Sequence, residues 1–113
     1  MSLSYAVEKF MAARHTLAIG PGKVQSRLRD AWVYSLINIQ AERDIPDPNL
    51  LQEFQEHHER MTSGIPLDNE GTIAASARNL NDDAAMQEAR WILDFLYKLE
   101  DLEEKMAEQR HAN

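Results

Sequence analysis

From Asn81 to about Gln109 the chain runs for roughly thirty residues without a proline or a glycine, and this stretch limits the fold more than any other. Its strongest apolar side chains, Ile92, Phe95, Leu96, Leu99, Leu102 and Met106, recur at helical spacing and form one stripe. Asn81 suits the N-cap, and Asp82 and Asp83 put negative charge where a helix dipole is positive. Asp94 with Lys98, and Asp101 with Lys105, sit acid-first at i,i+4 on the polar side. At ~1.5 Å per residue such a helix is on the order of 40 Å long. A rod of this kind must lay its stripe against other elements, and helices are the elements the rest of the sequence offers.

A chain of 113 residues is expected to form one helical domain with a core of its own. It has no cysteine, which excludes disulfides, thiol nucleophiles and thiolate metal sites. No apolar run approaches the ~20 residues that span a bilayer. Glu8 and Lys9 interrupt the first residues before a signal-peptide core can form, so a mature, cytoplasmic chain without membrane association is expected. The net charge of −7 argues against general nucleic-acid binding. It is unevenly spread. Residues 1–43 carry six basic against three acidic side chains, a net of +3, and residues 44–113 carry six against sixteen, a net of −10. The simpler reading is that the two halves fold onto each other; the sharper one is that they meet between two molecules.

Ser4 to about Ala18 reads as a first helix, with Val7, Phe10, Met11, Leu17 and Ala18 inward and Ser2 or Ser4 as cap. Gly20-Pro21-Gly22 then breaks the chain, with Gly20 suited to a left-handed helix end and Pro21 to the start of the next helix. The second helix is expected from Pro21 to about Gln40, basic at first and then apolar nearly all round from Ala31 to Ile39. Val33 and Ile37 in it need a second cover. Gly20-Pro21-Gly22-Lys23 lacks the spacing and the Ser or Thr of a phosphate loop. The stretch from His15 to Arg29 allows a helix-turn-helix reading, in which Lys23, Arg27 and Arg29 would contact an anion or DNA phosphates. The acidic balance of the whole chain and the apolar second half of that helix oppose it.

Ala41 to Asn49 reads as a loop that ends with Asp47 capping a third helix, Pro48 to about Thr62. Here His57 and His58, with Glu53 one turn earlier, invite a metal. Adjacent helical residues point about 100° apart, so the two histidines are poorly placed for one ion, and no bound metal is expected. Ile65 and Leu67 are expected to tuck onto the core, Thr72 to about Asn79 to form a short helix, and His111-Ala112-Asn113 to fray.

The fold expected is therefore all-α: a bundle of four main helices plus one short helix, with a long C-terminal helix, and dimeric. No nucleophile motif, phosphate loop or cofactor motif is present, so no catalytic or cofactor-binding residue is assigned. The leading functional expectation is a non-enzymatic, self-associating interaction or regulatory module. Val33, Ile37, Leu99, Leu102 and Met106 would form its interface, with a twin or an unidentified protein as partner. The alternative is a pocket for a small apolar ligand lined by Trp32, Tyr34, Phe54 and Trp91.

Overall fold

The C-terminal helix spans Asp82–Ala112 in the computed structural model, 31 residues without a break; residues 2–112 are described. Numbered in chain order, the helices are α1 (Leu3–Ile19), α2 (Val24–Tyr34), α3 (Ala41–Asp44), α4 (Pro48–Thr62), α5 (Thr72–Arg78) and α6 (Asp82–Ala112). No strand occurs among the described residues. The Asn81 carboxamide oxygen accepts from the Ala84 amide at 2.8 Å and caps α6. Asp82 and Asp83 in its first turn and Arg110 and His111 in its last oppose the helix dipole. The helix continues through His111 and Ala112, where fraying was expected; Asn113 lies outside the described residues.

Helix α1 lies antiparallel along α6. Its first turn meets the far end of the rod, where the Ser4 hydroxyl donates to Glu103 at 2.8 Å, and its last turn borders Met86 and Leu93. Leu3, Ala6, Val7, Phe10, Ala13 and Leu17 are its buried residues; the two alanines let the helix backbones approach. Met11 and Ala18, expected inside, are exposed. The turn to α2 uses Gly22, not Gly20, in the left-handed region, with φ of 84°. Gly20 is needed for space instead, since a Cβ there would stand 2.5 Å from the Thr16 carbonyl oxygen.

The expected second helix is cut short. It begins at Val24, leaving Pro21 in the turn, and ends at Tyr34; Ser35 breaks it, and a 3₁₀ turn covers Leu36–Asn38. The apolar run divides by face across the break: Trp32, Leu36 and Ile39 are in the core, and Val33, Tyr34 and Ile37 stay outside. Ser and the β-branched residues here are poor helix formers, so the deviation is cheap.

The segment expected as a loop contains α3, a single turn organised by a fully buried carboxylate. Asp44 accepts from the Gln40 amide at 3.0 Å and from Arg43 Nε at 2.9 Å. Helix α4 starts as expected, with Asp47 accepting from the Leu50 amide and Pro48 in the first turn. Gly64 lies flat against α5, where a Cβ would meet the Ser76 amide at 2.4 Å. Ile65 and Leu67 stay 82% and 58% exposed, contrary to expectation, because the link turns outward and is pinned by Glu70, which pairs with Arg78 at 2.7 Å.

Burial alone would raise the Asp44 carboxyl, but the hydrogen bonds it accepts, that from the Arg43 guanidinium foremost, outweigh it and bring the group down to about 2. A folded-state value below the ordinary 3.8 means that its stabilisation is complete above about pH 4 and is lost as pH falls toward 2. We predict that Asp44→Asn lowers unfolding free energy by about 1–3 kcal/mol at neutral pH, with the gap to wild type closing in acid. Urea titrations across that range test it, and coincident midpoints at pH 7 would refute it.

Candidate functional site

Two surfaces concentrate the chemistry of this molecule, one on each flank of α6. The first is an ionic seam between α4 and α6. On α4, Glu53, His57 and Arg60 follow one another at steps of four and three; on α6, Glu88, Trp91 and Lys98 do so at three and seven. Each therefore falls on one edge of its helix, and the two edges face each other.

Glu88 anchors the seam. Its side chain is only 7% exposed and takes His57 Nδ1 and Arg60 Nη1, each at 2.9 Å. The short contact makes His57 Nδ1 the proton donor, so the 3.4 Å approach of Arg60 to the same nitrogen is electrostatic contact only. Burial would raise the Glu88 carboxyl, yet the two donors hold it below the usual glutamate range. The His57 ring stacks on Trp91 with centroids 3.8 Å apart. The Trp91 indole N–H donates to Glu53 at 3.1 Å, and Lys98 bonds the same carboxylate at 3.0 Å. Every charged group of the seam is thus matched by another. A carboxylate held low in this way is a fixed anion near neutrality and serves to clamp helices, not to carry protons.

This geometry disposes of the metal candidates. Glu53 is committed to Trp91 and Lys98, His57 to Glu88, and His58 turns its ring toward Trp32 and Phe54 at about 6 Å. Among the described residues no group of three or more His, Cys, Asp or Glu side chains could hold a metal ion. The expected ligand pocket does not form either. Trp32 and Phe54 are core residues with 0% and 1% exposure, while Tyr34 stands in solvent at 72%, because two steps along α2 put Tyr34 on the face opposite Trp32. His58 instead borders a shallow cleft of about 430 Å³ with Arg43, Glu42 and Gln55.

The basic residues of the helix-turn-helix reading are also engaged. Arg27 turns back to donate to the Leu17 carbonyl at 2.8 Å, and Arg29 pairs with Asp30 at 3.0 Å. Lys23 is exposed, but the cleft it borders with Arg29 carries the Glu70 carboxylate as well. No helix among the described residues is long and apolar enough to cross a membrane.

The second surface is apolar and was not foreseen. Of the interface residues expected, Leu99 is wholly enclosed by its own chain, and Leu102 and Met106 are half-buried against the core, because α1 reaches back as far as Glu103. Val33 and Ile37 remain 40% and 37% exposed. The larger unpaired stripe lies elsewhere on α6: Met86, Leu93 and Tyr97 are 51%, 37% and 64% exposed. Together with Arg90 they recur at steps of four, three and four. Beside them Leu17, Ala18, Val24 and Ala89 help to line a groove of about 320 Å³, rimmed by Arg27 and Arg90. The signal for this surface is present in the sequence. Trp91 to Tyr97 is apolar nearly all round apart from Asp94, the pattern that marks a helix with more than one covered face.

No family model, curated protein or solved structure matches the chain.

The seam itself can be tested. Glu88→Ala leaves His57 half-buried beside an uncompensated Arg60, but Arg60 is 54% exposed and can return to water. The expected loss is therefore about 1–3 kcal/mol in chemical unfolding, short of the larger penalty of a stranded, fully buried charge. A change under ~0.5 kcal/mol would show that the seam is decorative.

Proposed function

We propose that this protein works by binding, not catalysis, as a small all-helical interaction module that associates with itself. The observation that carries this reading is the exposed stripe Met86–Leu93–Tyr97 on a rigid helix beside an apolar groove. Large apolar side chains aligned at helical spacing on the outside of a domain favour burial against another helix. The ionisable groups support the same reading, since those that are most buried, Asp44 and Glu88, are held as fixed anions by Arg43 and by His57 and Arg60.

A second reading shares the groove. Its volume of about 320 Å³ lies at the lower end of the range for small-molecule sites, so an apolar ligand is the alternative occupant. Ligand-induced thermal stabilisation of the wild type would favour it.

Sedimentation velocity should give a species of twice the 13.0 kDa chain mass at tens of micromolar. Leu93→Asp, which places a charge at the centre of the stripe, should return it to the monomer with its helicity intact. A single-chain mass for the wild type at every concentration would end the self-association reading.

A further inference from the structure

Building on the self-association just proposed, we infer that the second copy docks α6 against α6 in antiparallel orientation, about a two-fold axis midway between Leu93 and Tyr97. The stripe continues past Tyr97 to the partly buried Glu100 and the exposed Glu104, so that Met86, Arg90, Leu93, Tyr97, Glu100 and Glu104 follow at steps of four and three. This is the spacing of a helix–helix seam. Its charges are segregated, positive at Arg90 and negative at Glu100 and Glu104. Arg90 and Glu100 make no ion pair within the chain among the described residues.

Segregated charge selects the orientation. Parallel docking stacks Arg90 on the partner's Arg90 and Glu100 on the partner's Glu100, and like charges face to face are strongly disfavoured. Antiparallel docking reverses one copy. With Leu93 set opposite the partner's Tyr97, Arg90 falls opposite the partner's Glu100, and symmetry supplies each contact twice. Neighbouring registers fail. Opposing the two Leu93 residues moves Arg90 to the partner's Leu96 and breaks its pairing with the partner's Glu100. Opposing the two Tyr97 residues keeps Arg90 near an acid, the partner's Glu104, but drives Leu93 onto the partner's Asp101. Of the three, only the Leu93–Tyr97 register both pairs the central apolar residues and sets Arg90 against an acid, with Met86 opposite the partner's Glu104 at the two ends of the seam. On α1, Ala18 and Met11, seven residues apart and both exposed, stand on the side of this stripe and extend the apolar surface available to the partner.

The test is a charge exchange read by sedimentation equilibrium. Arg90→Glu and Glu100→Arg alone should each weaken the dimer by about tenfold or more, since each puts like charges opposite one another at two symmetric places. The double variant should recover to within about threefold of wild type. Arg90 is exposed and Glu100 partly so, and retained helicity by circular dichroism confirms folding. The absence of cysteine allows a second readout: Arg90→Cys mixed with Glu100→Cys should oxidise to a disulfide-linked heterodimer, and Arg90→Cys alone should not cross-link to itself. A dimer that ignores the charge exchange and cross-links Arg90→Cys to itself overturns the register while leaving self-association standing. A monomer at all concentrations overturns both.

Discussion

Five aromatic rings meeting at one point hold this structure together. Phe10 comes from α1, Trp32 from α2, Phe54 from α4, and Trp91 and Phe95 from α6. Phe10 lies 5.1 Å from Phe95, 5.7 Å from Trp91 and 6.0 Å from Phe54, centroid to centroid, and Trp32 stacks on Trp91 within 8° of parallel. Edge-to-face and offset contacts at these distances add to the burial of the rings themselves. Because four helices each place a ring in the cluster, it fixes their relative positions at once. Replacing any one ring with a small side chain would loosen several interfaces together.

The polar features follow from this arrangement. Trp91 sits at the rim of the cluster, so its indole N–H needs an acceptor, and Glu53 provides it. Long side chains then bridge the space between α4 and α6, and Glu88 can be taken out of water only because His57 and Arg60 come with it. Past the break at Ser35, Leu36 and Ile39 still reach the core that Trp32 occupies.

The sequence made α6, α1, α4 and the all-helical class legible because each has a strong apolar stripe and caps at the expected places. Asn81 and Asp47 cap as their positions imply. What it hid were the features decided by three-dimensional competition. The run from Ala31 to Ile39 is equally compatible with a long buried helix and with a kinked one, and only the neighbours select the kink. Asp44 reads as an ordinary loop acid until Arg43 and the Gln40 amide are folded around it. Leu99, Leu102 and Met106 looked surplus because the reach of α1 along α6 is not encoded in α6. The stripe Met86–Leu93–Tyr97 went unread because the stronger core stripe, more than a third of a turn away, masks it.

Glu88 and Met86, and likewise Trp91 and Leu93, are two residues apart on opposite flanks of one helix. The carboxylate, the stacked indole and Lys98 thus act as stays that set the roll of α6 about its long axis. With that azimuth held from within, the outer flank is presented at a fixed angle before anything touches it. Whatever seats there meets a surface already oriented, and the ordering that docking usually demands has been done by the fold.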